Sequence, residues 1–517
     1  MALKAGLVDH PDASRKLHKK PIPVGGGVVL FCVTLLMLFG IMLLGYPYAA
    51  SFLPVRRLIF PFFLASFLLV GAGLADDKWE LSGKAKLFFQ FTAATIVIAF
   101  AKDFSTISFF GIPVDLGHMF YPLGILWLVG IINAVNFLDG ADGVCSTAGF
   151  FMSLVSAYFA MVNGHIFLVM LAVVFAGTLL GFLSCNRPPA KVYLGDTGSM
   201  LIGLVTGVLL LRTSVTENRV IHVVPALAVA VIPIFDVVLS FFRRIGSGRG
   251  LFSPDRGHIH HRFLVRFQNG YKILACLAVL FLLCGLSACL GMKYRNDWAA
   301  LAAILFVPGL MILTGLFGRE EVKIFVYQIS GRFKQYLKKD EYEKTGEIFH
   351  FQGNAPWTVL WKDLIPSLKN THCVKVQLDI NMPSLHENYV SRWERKSKTE
   401  MRFCCVLPLI CGDRKTGTLE MTFDTRKTSN IEAFKIIHEI SVFCMKYIED
   451  YIQLREQANG TTVFSSSEGG FLKEEEPVSR EPFQSVPPSV PEAVLSRFDS
   501  AVLSDNQKHD VKLHVKH

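Results

Sequence analysis

The sequence has little charge, and none of its cysteines forms a CxxC motif. Only 18% of its 517 residues are Asp, Glu, Lys or Arg, whereas 51% are hydrophobic and 43 are Phe. This balance excludes a disordered, collagen-like or coiled-coil chain and argues against a purely water-soluble enzyme. The 11 cysteines are scattered, several of them within apolar runs. We therefore interpret them as small packing residues in a reducing compartment.

The given sequence also shows no sign of a secretory leader or of an internal repeat. No basic segment precedes a small-residue cleavage site, so no signal peptide is predicted, and no repeat suggests an inverted-topology transporter. The whole net charge of +10 falls before residue 319, and the later part is polar and balanced. The chain is therefore predicted to be a membrane domain (1–318) followed by a small α/β domain (319–458). Residues 459–517 are rich in Ser, Glu and Pro and are predicted to be a disordered tail.

Apolar stretches of about 20 residues, the length that crosses a bilayer as a helix, recur through the first domain. They occupy 26–46, 56–75, 85–101, 119–137, 144–162, 165–184, 199–212, 220–242, 271–291 and 297–317. The expected fold class is an α-helical polytopic membrane protein with about ten transmembrane helices. Segment 104–117 is predicted to be an extended or hairpin connection. Lys and Arg concentrate in alternate loops, which places the N-terminus and the second domain in the cytoplasm.

The second domain is predicted to mix helices and strands. Helices are expected near 356–369 and over 430–455, and strands at 374–379, 402–410 and 418–424, with a turn at 412–417. The run 406–424 weakly resembles the strand–turn–strand part of GAF-like sensory domains. A plain α/β docking module is the alternative, and the partner of this domain is unknown.

Four clusters of ionisable residues fall on the cytoplasmic side of the predicted topology. They are Asp76, Asp77 and Glu80; Asp139 and Asp142; Asp196; and Asp255, His258, His260 and His261. Arbitrary loop polarity would scatter such residues over both faces of the membrane. Their position on one face therefore predicts a site at that surface.

The residue types in these clusters suit phosphate and a hard metal ion. The adjacent carboxylates of Asp76 and Asp77 repel each other unless a cation lies near. Mg²⁺ commonly bridges carboxylates and substrate phosphates. Lysine and arginine side chains in the same loops offer further phosphate contacts; they are Lys16, Lys84, Lys86, Arg249, Arg256 and Arg262. A lipid phosphate and a nucleotide-activated group are the substrate pair that fits a membrane surface.

Five segments resemble the motifs of one enzyme family. Segments 73–90, 133–144, 189–200 and 253–264 are similar to the four cytoplasmic motifs of the polyprenyl-phosphate N-acetylhexosamine-1-phosphate transferases, and 15–27 resembles the opening motif of that family. The resemblance covers about residues 7–317. The HIHHR form of the histidine motif resembles the bacterial branch that begins O-antigen, common-antigen or teichoic-acid synthesis.

The resemblance implies roles for individual residues. The catalytic positions are Asp76, Asp77, Asp139 and Asp196. Of these, Asp196, Asp76 and Asp77 are expected to bind Mg²⁺, for which Mn²⁺ can substitute, and Asp76 is the expected base toward the lipid phosphate. The substrate-binding positions are Lys16, Lys86, Asn133, Asn136, Asn186, Tyr193, Arg256, His258, His260, His261 and Arg262.

The implied reaction transfers an N-acetylhexosamine 1-phosphate from a UDP-sugar to undecaprenyl phosphate and releases UMP. N-acetylglucosamine is the default sugar, the location is the bacterial plasma membrane, and no nucleic-acid partner is expected. Two alternatives stay open: the phospho-MurNAc-pentapeptide transferase of peptidoglycan synthesis, and a secondary transporter with a cytoplasmic regulatory domain. Transporters place polar residues near the bilayer midplane, where this sequence has few.

Several residues depart from the family pattern or have a local interpretation. Glu80 stands where many members have a third Asp, and the first family span is expected to be missing before Arg15. Asp196 could also cap a helix, and the histidines resemble zinc ligands. Asp236 lies inside an apolar stretch, and a structural pairing with Arg243 or Arg244 keeps it out of the predicted catalytic set.

Overall fold

The computed structural model describes most of the helical part of the chain and much of the sheet domain. The described residues are 8–9, 21–44, 56–100, 105–247, 257–267, 269–319, 322, 347–352, 357, 360–361, 364–365, 368, 371–382, 387–395, 402–411, 414–424, 428 and 430–458. The chain divides into two units, Met1–Lys323 and Ile324–His517. The predicted tail at 459–517 lies outside the described residues.

The first unit is a helical bundle in which each predicted apolar stretch is helical over most of its length. Its helices are α1 (Gly26–Leu44), α2 (Arg56–Trp79), α3 (Gly83–Ala99), α4 (Phe120–Leu138), α5 (Val144–Val162), α6 (Ile166–Asn186), α7 (Gly195–Thr213), α8 (Val223–Val229), α9 (Val231–Ser247), α10 (Ile259–Phe267), α11 (Gly270–Tyr294) and α12 (Asp297–Leu313). Side-chain caps begin some of them: Ser82 accepts from the Ala85 amide, and Asn296 accepts from the Trp298 amide.

Among the described residues, six helices are long and apolar enough to cross a membrane: α2, α4, α5, α6, α7 and α11. Helices α8 and α9 make a seventh span if the pair, bent by 77°, is counted as one. The fold class is confirmed, but the expected number of ten spans is not. Helices α1 and α12 are shorter apolar helices, and α3, with 17 residues, is not among the spans either. The stretch predicted as one span at 220–242 is a strand followed by this bent pair.

The predicted hairpin between spans is present. Strands β3 (Thr106–Phe109) and β4 (Ile112–Asp115) pair antiparallel, with Ile107 opposite Val114, and β5 (Val220–His222) pairs parallel with β3. Two short strands near the N-terminus, β1 (Val8–Asp9) and β2 (Ile22–Pro23), also pair antiparallel. Helix α7 lies at the centre of the bundle, where it is packed against α1, α2, α4 and α5. It is buried along most of its length and carries Asp196 in its first turn.

The second unit is an antiparallel sheet with helices packed against it. Its strands are β6 (Glu347–Gln352), β7 (Cys373–Met382), β8 (Glu387–Glu394), β9 (Arg402–Cys411) and β10 (Arg414–Asp424), in the order β6-β8-β7-β10-β9. Helix α13 (Asn430–Ala458) contributes Ile437, Cys444 and Ile448 to the core. Helical positions in 357–368 bury one face at i, i+3, i+4 and i+7 spacing. The predicted strands and helices of this domain are present, whereas β6 and β8 were not predicted.

Candidate functional site

The site begins where α2 and α7 touch backbone to backbone. A Cβ atom on Gly73 would lie 2.3 Å from the Thr197 Cα atom, so only glycine permits this approach. Asp76 and Asp77 follow Gly73 by about one helical turn and therefore lie beside the first turn of α7. The spacing of glycine and carboxylates in the sequence is what brings the pair to Asp196.

Asp77 accepts hydrogen bonds from the start of α7. One carboxylate oxygen accepts from the Asp196 amide at 2.8 Å, and the other accepts from the Thr197 amide at 3.3 Å and the Thr197 hydroxyl at 2.6 Å. A carboxylate at a helix N-terminus satisfies unpaired amides and suits the helix dipole. Asp77 thereby holds Asp196 in place.

Lys86, in the first turn of α3, joins the two other carboxylates. Its Nζ atom lies 2.6 Å from Asp76 Oδ2 and also donates a hydrogen bond to Asp196 Oδ2. The second oxygen of Asp76 accepts from the Leu81 amide at 2.8 Å. One ammonium group thus offsets the repulsion between two carboxylates that converge from different helices.

Asparagines at the end of α4 complete this cluster. Asn136 Nδ2 donates to Asp196 Oδ1 at 2.9 Å and to Ser199 Oγ at 2.8 Å. Asn133, one turn earlier, donates to Gln90 Oε1 at 2.6 Å, so it braces α4 against α3. Both predicted asparagines are therefore in the site region, but only Asn136 contacts one of its carboxylates.

Asp139 directly follows α4 and lies within electrostatic reach of the cluster carboxylates. Burial raises the pKa of this carboxyl well above its ordinary value, and the charges of Asp196, Asp77 and Asp142 raise it further. Its neighbour Asp142 accepts from the Ala190 amide at 2.9 Å. Asp139 is therefore protonated more easily than an exposed aspartate.

Asn186 and Tyr193 hold the loop between α6 and α7. Asn186 Oδ1 accepts from the Gly143 amide and the Ser146 hydroxyl, each at 3.1 Å, and its Nδ2 donates to the Val192 carbonyl at 3.0 Å. The backbone amide of Tyr193 donates to the Pro23 carbonyl at 2.9 Å. Asn186 therefore fixes the start of α5 and the loop before α7 at once.

The histidine segment at the start of α10 packs on the Asp-Gly turn after α4. A Cβ atom on Gly140 would lie 2.0 Å from His260 Nε2, so the ring lies directly against this glycine. His258 and His260 are both buried. His258 Nδ1 is 3.1 Å from Asp236 Oδ2, and Asp236 Oδ1 accepts from the Ile259 amide at 3.1 Å. Asp236 thus bonds to this segment, where the sequence analysis expected Arg243 or Arg244 as its partner.

The other predicted site residues are placed as follows. Arg262 is half-buried in α10, and its amide donates to the His258 carbonyl. Lys16, Arg256 and the His261 side chain lie outside the described residues. Sequence reasoning missed Thr197, Ser199 and Gln90, whose contacts become visible only in the packed bundle. It set aside Asp236, although a charged residue in an apolar helix was the available signal.

The carboxylates suit a hard cation but do not make a complete protein cage. Among the described residues, no group of three His, Cys, Asp or Glu side chains is arranged to hold a metal ion. Asp77 uses both oxygens on α7, whereas Asp76 and Asp196 converge on one cation, Lys86. Mg²⁺ is usually held by one or two carboxylates plus substrate phosphates. Two converging carboxylates fit that mode of binding.

The helices and the site together define a polytopic membrane protein whose carboxylate, amide, lysine and histidine side chains meet at one end of a bundle. Residues 59–214 match glycosyl transferase family 4. The chain is 30% identical over 322 residues to the probable undecaprenyl-phosphate N-acetylglucosaminyl 1-phosphate transferase of Bacillus subtilis (strain 168), which covers 61% of this chain and 87% of the relative. The chain belongs to glycosyl transferase family 4.

Two further relatives are nearly as similar. The decaprenyl-phosphate N-acetylglucosaminephosphotransferase of Mycobacterium tuberculosis (strain CDC 1551 / Oshkosh) is 29% identical over 357 residues, which is 62% of this chain and 84% of the relative. The undecaprenyl-phosphate alpha-N-acetylglucosaminyl 1-phosphate transferase of Escherichia coli (strain K12) is 29% identical over 320 residues, which is 59% of this chain and 82% of the relative. All three relatives are named for the same kind of phosphosugar transfer to a polyprenyl phosphate.

Proposed function

We propose that this protein transfers N-acetylglucosamine 1-phosphate from UDP-N-acetylglucosamine to undecaprenyl phosphate and releases UMP. An oxygen of the lipid phosphate attacks the β-phosphorus of the donor. A new P–O bond forms there, and the bond from the β-phosphorus to the bridging oxygen breaks, so the electron pair leaves with UMP. The observation that carries this proposal is the Asp76–Lys86–Asp196 cluster at the end of a membrane bundle.

The roles follow from the charges in the cluster. Lys86 is a point charge that can contact a substrate phosphate, since its three donors are not confined to one direction. Asp76 lies beside it and is the proposed base toward the lipid phosphate. Asn136 orients Asp196 through its side-chain amide. The names of the three relatives support the lipid acceptor and the sugar phosphate.

We further propose that Mg²⁺, or Mn²⁺ in its place, is held by Asp196 and Asp76 together with substrate phosphates. When bound, it would offset the negative charge of the pyrophosphate and of the departing UMP. The oxygen ligands of the cluster support this choice of cation. Asp77, whose two oxygens contact α7, would hold Asp196 in position without binding the cation.

The site is proposed to face the cytoplasm of a bacterium from its plasma membrane. Lys and Arg concentrate in the loops on the site side of the predicted topology, which is the bias that cytoplasmic loops carry. A nucleotide-sugar donor is available on that side, and the lipid acceptor reaches it within the bilayer.

Purified protein in vesicles with undecaprenyl phosphate and a panel of UDP-sugars tests the proposal. UMP release should be fastest with UDP-N-acetylglucosamine and should stop when EDTA removes Mg²⁺. Asp196→Asn should abolish release, whereas the matched change Glu80→Gln, at an exposed carboxylate, should be mild. Normal release by Asp196→Asn, coupled with lost uptake of a solute, would instead indicate a transporter.

A further inference from the structure

Asp236 is a buried carboxylate that none of the proposed catalytic roles uses. It lies in α9 and is 0% exposed. A carboxylate inside a membrane helix is costly and requires partners for its oxygens. Both oxygens are bonded to the histidine segment: Oδ2 to His258 Nδ1 and Oδ1 to the Ile259 amide, each at 3.1 Å.

The His258 ring has aromatic neighbours in addition to its hydrogen-bond partner Asp236. Its centroid lies 4.9 Å from that of Phe137, two residues before Asp139 in the chain, and 6.0 Å from the nearly parallel ring of His260. Asp236 holds the Nδ1 edge. Contacts from α4, α9 and α10 therefore define both the plane of the ring and its rotation within that plane.

We propose that Asp236 is a positioning residue that acts through His258. Since a carboxylate only accepts hydrogen bonds, it keeps the proton of the neutral ring on Nδ1 and so fixes the tautomer of His258 as well as its orientation. His258 therefore meets the substrate pyrophosphate in one tautomer and one orientation. This inference rests on the proposed function, which supplies the pyrophosphate.

A double-mutant cycle separates this role from simple anchoring of the loop. Asn at position 236 keeps one side-chain oxygen for the Ile259 amide but offers its NH₂ group to His258 Nδ1, which reverses the tautomer. Asp236→Asn should lower kcat/KM for UDP-N-acetylglucosamine roughly 10- to 100-fold, by analogy with the loss of a partner that orients a metal-binding histidine. In a His258→Gln background the same change should lower kcat/KM by no more than about twofold, which is the ordinary error of additivity.

Equal losses in the two backgrounds would overturn the inference, because an anchoring role does not need the ring. A wild-type protein that releases no UMP from any UDP-sugar would refute the proposed function instead. Asp297→Asn is the matched control, since Asp297 is also buried and its carboxylate accepts from the Phe110 amide at 2.6 Å, outside the site. It should leave kcat/KM unchanged.

Thermal unfolding in detergent shows which variants are folded. If Asp236→Asn is not recovered, Asp236→Glu and Asp236→Gln give the same comparison, since the two side chains are alike in size and differ in charge. The Glu variant should keep more activity than the Gln variant, and only when His258 is present. Equal activity of the two would overturn the inference.

Discussion

Lys86 is the residue on which the charge balance of the site depends. Its ammonium group contacts Asp76 and Asp196, which belong to different helices, and both carboxylates also accept a hydrogen bond from a neutral group. Without a cation between them, two carboxylates that share one partner repel each other. Bringing α3 to this position is therefore as important to the site as the carboxylates themselves.

Replacing Lys86 with Gln should lower the rate of UMP release by roughly 10- to 100-fold, because hydrogen bonds to charged groups contribute about 1.5–3 kcal/mol each. Lys84→Gln is the matched control: it removes the same charge from the same helix, and Lys84 is exposed. Initial rates at saturating substrates measure both variants. Similar losses in the two would show that Lys86 acts only through the general positive charge of the surface.

At the scale of whole helices, the close packing of α2 on α7 is what forms the carboxylate cluster. Gly73 permits the backbones to touch, and the hydrogen bonds from Asp196 and Thr197 to Asp77 join the same two helices one turn later. A small residue at a helix crossing is a common means of close approach in membrane bundles. Here it also sets the distance between functional groups.

Gly73→Ala should separate α2 from α7 and lower both stability and UMP release. Overpacking of this kind costs about 1–3 kcal/mol, and a shift of the carboxylates should reduce the rate beyond the loss of folded protein. Gly71→Ala, two residues away on the same helix, is the control because its Cβ atom would meet no atom within 4 Å. Thermal unfolding and rate measurements on both variants check this. An unchanged rate in Gly73→Ala would mean that the helix spacing is not critical.

For the molecule as a whole, the two units have separate hydrophobic cores. Every described residue of the site lies in the first unit, and the core of the second is formed by its own strands and helices, with Trp357, Trp361 and Trp393 fully buried. A core defect in the sheet domain should therefore not reach the carboxylate cluster.

Trp361→Ala should destabilise the second unit by about 3–5 kcal/mol, since it removes a large buried side chain. Release of UMP should stay at the wild-type rate. Limited proteolysis of the full chain, followed by mass spectrometry, reports opening of the sheet domain. Ile431→Ala, at an exposed position of α13, should alter neither measurement. Loss of activity in parallel with proteolysis would show that the two units are coupled.

The sequence by itself determined the helices, the hairpin and the set of polar motifs, because apolar runs, alternation and short motifs are local patterns. It also indicated the mixed strands and helices of the second unit. The number of spans is not confirmed, because apolar composition does not show where a helix ends, and the predicted span at 220–242 contains a bend between α8 and α9.

Only the tertiary structure decided which polar groups meet. Asp76 and Asp77 are adjacent in the chain but have different partners. Asp76 contacts Lys86, whereas Asp77 accepts hydrogen bonds from the start of α7. Lys86 and Asp196 are 110 residues apart in the chain, and Asp236 and His258 are 22 apart. Such pairs depend on how helices pack, and packing is set by contacts among distant residues that no local pattern records.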